Sequence, residues 1–171
     1  MKKLNRKSIR QIIISEVVEF LESGFYNESN SDILIDEKLE RCVNMSGLIE
    51  DFCMFCKKNL NIKQPINIEI VENRENTGIK TTAFYNPDNH IIKIYGKNRA
   101  VVDVCRSIAH EMTHMAQMIE GRIKFPVRDA GGLIEDEANA KAGELIKLFA
   151  KSRPKRSRIY ESTRKRDLLD L

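Results

Sequence analysis

The apolar residues of this 171-residue chain recur with two different spacings, and this change of spacing limits the folds that the chain can adopt. Within residues 36–60, 99–120 and 133–150 they recur every three or four positions, as in helices that bury one face. Between residues 66 and 95 they alternate with polar residues, as in half-buried strands. Because no internal repeat is present, the pattern predicts an α+β fold in which helices pack around a small sheet of three strands.

Four segments have the apolar spacing of a helix. They comprise residues 8–22, 36–60, 99–120 and 133–150. Asn98 is a candidate N-cap for the third segment, and Gly121 follows its end, where a left-handed residue often stops a helix. We expect the second segment to be interrupted near Ser46 and Gly47.

Three strands are predicted between the second and third helices, at residues 66–71, 81–85 and 90–95. A run of turn-forming residues, Asn-Pro-Asp-Asn at 86–89, joins the last two. These two strands are therefore expected to form a hairpin.

The size and composition are those of one soluble domain, with 42% hydrophobic and 32% charged residues. No apolar run approaches the roughly 20 residues that span a bilayer. The apolar patch at residues 12–14 is also too short for the core of a signal peptide. The sequence therefore predicts a cytoplasmic protein with no membrane partner.

Cys53 and Cys56 have the spacing of half a zinc ribbon or of a redox motif. The other two cysteines of the chain do not supply the second close pair that a ribbon needs. Ile49 and Phe52 extend the pair to an apolar helical stripe, so burial in the core is the favoured interpretation of both cysteines.

The third helical segment carries the sequence His-Glu-Met-Thr-His at residues 110–114. Residues four apart lie on one face of a helix, so His110 and His114 can present two imidazoles to one tetrahedral zinc ion. Glu111 points to the neighbouring flank, where it can act as general base toward a zinc-bound water. The alternative, a pair of partly exposed surface histidines, fits less well with the apolar residues around the motif.

A third zinc ligand is expected from the next helix, at Glu135. The residues on the same helix face as Glu135 are apolar: Ala138, Ala142, Leu145 and Phe149. A carboxylate in a packed interface needs a partner, which zinc can provide, whereas the alternative is a solvated charge at the helix start. Asn139, one turn on, is placed to hydrogen-bond the back of a ligating histidine. Glu137 faces away and is the weaker candidate for the third ligand.

The motif at 110–114, followed by Glu-Asp-Glu-Ala-Asn at 135–139, resembles the gluzincin metallopeptidases, and among them the ImmA/IrrE-type family. The resemblance extends over roughly residues 81–149 and includes the predicted hairpin. It implies a minimal zincin-like domain in which the two histidines and Glu135 hold zinc and Glu111 is the base. The interval before Glu135 is compact, and no clear helix-turn-helix DNA-binding segment is present.

The predicted function is that of a zinc-dependent endopeptidase. Residues 1–150 are expected to form one domain, with a helical part at 1–64 and the catalytic core at 65–150. The third strand is expected to lie at the edge of the cleft and to accept a peptide substrate as an added strand. Its residues are Ile91, Ile92, Lys93, Ile94 and Tyr95. The sequence does not identify the residue that stabilises the oxyanion. The candidates by residue type are Tyr85, His90, Tyr95, Arg106 and Tyr160.

Residues 151–171 form a basic tail, with eight lysines and arginines against three acidic residues. The tail therefore carries a charge of +5, and the rest of the chain carries −1. One alternative is that this tail binds nucleic acid, although a solvated tail is favoured because no aromatic pattern accompanies the charge. Another alternative is a zinc-binding module without activity. The compact, lysine-rich chain would also suit a phage or prophage protein.

Overall fold

The computed structural model describes residues 31–75, 81–124 and 132–160. The predicted helix at residues 8–22 lies outside these ranges. The elements in chain order are β1 (Ile33–Ile35), α1 (Glu40–Val43), α2 (Ser46–Asn59), β2 (Asn67–Val71), β3 (Ala83–Asn86), β4 (Ile91–Tyr95), α3 (Val101–Ile119), α4 (Leu133–Ser152) and a final 3-10 helix (Pro154–Tyr160). The α+β fold is therefore confirmed. No helix within these ranges has both the length and the apolarity needed to cross a membrane.

The sheet has four strands in the order β1-β2-β4-β3, rather than the three predicted. Strands β1, β2 and β4 are parallel, and β3 pairs with β4 as the predicted antiparallel hairpin. Strand β1 is absent from the sequence-based prediction because three residues are too few to show an alternating pattern. It is identified only by its partner, since Ile33 and Ile35 lie opposite Ile68 and Ile70 of β2.

Strand β4 lies inside the sheet, between β2 and β3. Both of its edges are already paired, which excludes β4 as a strand that accepts a peptide by edge pairing. The prediction that the residues of β4 form the substrate strand is therefore corrected. Within the described residues, β3 is the strand at this edge of the sheet.

Helix α3 is the centre of the fold, because it contacts α2, α4 and the strands β3 and β4. It begins at Val101, and its N-cap is Ala100 rather than the predicted Asn98, which adopts a left-handed φ of 57° in the preceding turn. Its end agrees with the prediction, because Gly121 takes a φ of 72° directly after the last turn. Eleven of its 19 residues are buried, so neighbouring elements fix its position on most sides.

Helix α4 starts after Gly132, whose φ of 86° is one that residues with a side chain rarely adopt. Its buried residues include the four that the sequence places on the face of Glu135: Ala138, Ala142, Leu145 and Phe149. This face packs against α3, so the first turn of α4 lies beside the histidines of that helix.

The chain beyond residue 150 is partly built into the fold. Arg156 is buried, and its guanidinium donates two hydrogen bonds of 2.6 Å to the carboxylate of Asp51 on α2. Ile159 is fully buried in the core. Residues 161–171 of the predicted tail lie outside the described ranges, so the division of the chain at residue 150 stays a prediction.

The four cysteines are free and buried, as the helical stripe indicates. Cys53 and Cys56 lie on α2, in the same core cluster as Ile49 and Phe52. Burial raises the pKa of both thiols, which disfavours the thiolate that metal binding and redox chemistry require.

Candidate metal centre

The histidines of the motif lie on the same face of α3, as their spacing predicts. The rings of His110 and His114 meet edge to face, with centroids 4.6 Å apart, and their Nε2 atoms are 3.0 Å from each other. The side chain of His114 is 11% exposed and that of His110 is 22% exposed. Both nitrogens therefore converge on one point at the border between the core and solvent.

Glu135 reaches the same point from the first turn of α4. One of its carboxylate oxygens lies 3.3 Å from Nε2 of His110, and the other lies 3.2 Å from Nε2 of His114. The ligand atoms of the three residues all lie within 4.8 Å of one another, so this group can hold a metal ion. The structure thus brings together three side chains that are separated by up to 25 residues in the sequence.

The protonation of these groups shows whether they fit a cation. His114 donates its Nδ1 proton to Oε1 of Gln117 over 2.8 Å, so a neutral His114 has an unprotonated Nε2. Burial lowers the pKa of His110, and His114 lowers it further, against a smaller opposing effect of Glu135. Unprotonated Nε2 atoms and a carboxylate bring electron pairs together at this point, and a shared divalent cation relieves their repulsion. The donor set therefore fits a metal ion.

Glu111 lies beside the triad and under strand β3. Its carboxylate accepts a hydrogen bond from the backbone N–H of Tyr85. Burial raises the pKa of Glu111 to about 7, the charge of Glu135 raises it as well, and the bond from Tyr85 opposes both. A carboxyl group with a pKa near neutrality can accept and release a proton, as a general base must.

A cleft of about 640 Å³ opens over these residues. Residues 81–85, which lead into and form β3, make one wall, and α3 and α4 make the other. Arg106 and Ser107 lie on the wall formed by α3, and Met118 and Ile123 are further lining residues. Because His110, Glu111, His114 and Glu135 also line this cleft, the candidate metal centre is open to the cleft.

The remaining predicted residues divide between those at the cleft and those away from it. Asn139 lines the cleft and hydrogen-bonds the ring of His110, the partner that its position on α4 predicts. Glu137 faces away, as expected, and its carboxylate accepts two hydrogen bonds from the guanidinium of Arg122. The side chains of Asn139 and Glu137 thus lie on different sides of the first turns of α4.

The five oxyanion candidates are also separated by the structure. Arg106 and Tyr85 line the cleft, but the hydroxyl of Tyr85 is 3.0 Å from Nδ1 of His90. Tyr95 lies under the guanidinium of Arg74, and Tyr160 is exposed on the final 3-10 helix. Arg106 is therefore the candidate whose position best suits contact with a ligand in the cleft.

Gln117 is a functional candidate that the sequence analysis misses. It is completely buried, and it bonds both His114 and residues at the start of α4. A signal for it exists in the sequence, because Gln117 is a polar residue on the buried side of a helix, three positions after His114. The sequence pattern alone shows only that position 117 lacks the glycine that the metzincin extension of the zinc-binding motif requires.

Comparisons of the chain with models of known protein families, with curated proteins and with solved structures find no match.

Proposed function

We propose that this protein is a zinc-dependent peptidase that hydrolyses internal peptide bonds. The observation that carries this proposal is the convergence of Glu135 on the two histidines of α3, with Glu111 beside them in an open cleft. Helix α3 supplies both histidines and Glu111, and α4 supplies Glu135, so the arrangement depends on the packing of α4 and β3 against α3.

The donor set supports zinc as the ion. Two imidazole nitrogens and one carboxylate oxygen are a common ligand set of catalytic zinc sites, which leave one coordination position for water or substrate. Structural zinc sites usually have four protein ligands instead. The cleft over His110, His114 and Glu135 is consistent with the open, catalytic kind of site.

The three ligands would hold the zinc ion, which supplies Lewis-acid chemistry by acidifying a water molecule and polarising the peptide carbonyl. Glu111 accepts a proton from the attacking water on its carboxylate and delivers it to the nitrogen of the leaving amine. The backbone N–H of Tyr85 and the buried surroundings of Glu111 orient this carboxylate toward the cleft. Asn139 orients His110 through its hydrogen bond.

A peptide substrate is supported by the geometry of β3. The N–H of Tyr95 bonds to the carbonyl of Thr82, so the backbone groups of alternate residues, Ala83 and Tyr85, point away from β4. The bond from the Tyr85 N–H to Glu111 agrees with this direction. An extended peptide that pairs with β3 would pass over the triad, and this strand replaces β4 as the proposed substrate strand.

The structure gives less support to two alternative functions. A zinc-binding module without activity has no use for a buried carboxyl such as Glu111 in an open cleft. Nucleic-acid binding through the basic tail loses one of its charges, because Arg156 is buried against Asp51. Low-salt DNA titrations of the full-length protein and of a variant truncated after residue 160 test this alternative, which requires the truncated variant to bind DNA more weakly.

The proposal is tested by metal analysis followed by digestion of a peptide library. We expect about one zinc ion per chain, cleavage that stops with a chelator and returns with zinc, and cleavage at least about 100-fold slower by the Glu111→Gln variant. Zinc-loaded protein that cleaves nothing, or Glu111→Gln protein that cleaves normally, would contradict the proposal.

A further inference from the structure

Gln117 is a fully buried amide whose hydrogen-bond partners lie on two helices. Its Oε1 accepts the proton of His114 Nδ1 over 2.8 Å. Its Nε2 donates to the backbone carbonyl of Ile134 over 3.1 Å and to the carboxylate of Glu137 over 3.2 Å. A buried amide with both ends bonded in this way has one favoured orientation, because each end matches only its present partners.

The partners on α4 set that orientation. The carbonyl of Ile134 and the carboxylate of Glu137 accept hydrogen bonds and cannot donate them. A rotated amide would place its oxygen against these two acceptors and its NH₂ group against the Nδ1–H of His114. The bonds to Ile134 and Glu137 would then be lost, and each unsatisfied buried group is costly. The oxygen of Gln117 must therefore face His114.

This orientation fixes the tautomer of His114. A ring that donates through Nδ1 carries its electron pair on Nε2, and Nε2 is the atom that faces His110 and Glu135. The amide of Gln117 thereby holds His114 in the form that can ligate a metal, and it also holds the plane of the ring.

The same amide holds the third ligand in place. Ile134 and Glu137 flank Glu135 in the first turn of α4, and both are bonded to the Nε2 of Gln117. Arg122, which follows α3, binds the same carboxylate of Glu137 with contacts of 2.6 and 3.0 Å. One side chain thus connects the second histidine of the motif with the turn that presents the carboxylate ligand.

We propose that Gln117 is a positioning residue of the metal centre, which selects the His114 tautomer and sets the distance of Glu135 from the two histidines. This inference rests on the proposed function, because it assumes that the triad binds zinc. It extends that proposal by assigning the control of zinc affinity to a residue outside the ligand set.

The test compares the zinc affinity of full-length protein with that of Gln117→Met, using competition with a fluorescent chelator and Zn²⁺ alone. Methionine is similar in length but lacks the hydrogen-bonding groups, so we expect the affinity to fall about 10- to 100-fold. Met115→Ala is the matched control. Met115 is a buried residue of α3, so its truncation also destabilises the core. We expect it to keep the zinc affinity of the unchanged protein.

A spectroscopic readout separates positioning from general stability. In zinc-loaded protein labelled with ¹⁵N-histidine, we expect a slowly exchanging Nδ1–H signal for His114 that Gln117→Met loses and Met115→Ala keeps. Gln117→Glu retains an acceptor for this proton and should keep the signal. An affinity within twofold of the unchanged protein in Gln117→Met would overturn the inference.

The inference can be tested even if the variant does not fold, and its test is separate from that of the peptidase proposal. Should Gln117→Met fail to fold, the spectrum of the unchanged protein decides, and a His114 bound to zinc through Nδ1 would overturn the role of Gln117. Because no step measures turnover, zinc-loaded protein without peptidase activity would contradict the proposed function while leaving this inference intact.

Discussion

Two helices of this protein each carry a pair of residues of a metal-binding type at helical spacing, but the two pairs lie in different surroundings. Cys53 and Cys56 on α2 face the hydrophobic core, are at most 5% exposed, and have thiols whose pKa is raised by burial. His110 and His114 on α3 face a cleft and meet Glu135 from another helix. The comparison shows that helical spacing makes two ligands adjacent, but a third ligand from a distant segment makes a candidate site.

The second difference between the pairs lies in their hydrogen bonds. His114 donates to a buried amide, and His110 is bonded by Asn139, so each ring is held in orientation by a neighbour. The two thiols pack among apolar side chains of the core instead. Oriented donors at the edge of the core are therefore what separates the candidate centre from an apolar stripe.

The largest expected effect tests whether the histidine pair belongs to a reaction centre. We expect Glu111→Gln to lower the rate of peptide hydrolysis by about 100- to 10,000-fold, because the amide cannot accept the proton of water. The zinc content should stay at the level of the unchanged protein, since Glu111 is not part of the triad. Initial rates on a cleavable peptide, with metal analysis of the same samples, check both statements, and lost zinc would instead identify Glu111 as a ligand.

The next effect tests the third ligand. Loss of a residue that only hydrogen-bonds a metal ligand typically weakens metal binding by about 10- to 100-fold. We expect Glu135→Ala to weaken zinc binding by more than this, because it removes a ligand. Asp136→Ala removes the same charge from the next, exposed position of α4 and is the matched control. Equal zinc affinities of the two variants, measured by chelator competition, would place the third ligand elsewhere.

The sequence predicts the elements of the fold that have strong periodicity. Helices α3 and α4, the hairpin and the strand β2 are recovered because their apolar residues repeat along the chain itself. Strand β1 is missed, because its three residues become a strand only through pairing with β2. The inner position of β4 is missed for the same reason, since strand order depends on contacts between distant segments.

The site divides in the same way. His110, Glu111 and His114 lie within five residues, and local helix geometry is enough to place them together. Glu135 is predictable because a carboxylate on an apolar helix face needs a partner. The role of Gln117 is not, because its bonds to Ile134 and Glu137 exist only after α4 has packed against α3.

A smaller effect tests whether the metal is part of the folded structure. We expect zinc at 100 times its dissociation constant to raise the free energy of unfolding by about 2.7 kcal/mol. Thermal or denaturant unfolding with and without a chelator measures this difference. The Glu135→Ala variant should show a much smaller shift, and an equal shift would mean that zinc binds outside the triad.

The smallest expected effect returns to the cysteines. Cys56→Ala removes a sulfur from a fully buried site, so we expect the free energy of unfolding to fall by about 1 to 2 kcal/mol through lost packing. The stabilisation that zinc gives should be unchanged, because no described contact links Cys56 to the triad. If Cys56→Ala instead lowered the zinc content, the two pairs would share an ion-binding role, and the contrast between a core stripe and a metal centre would no longer hold.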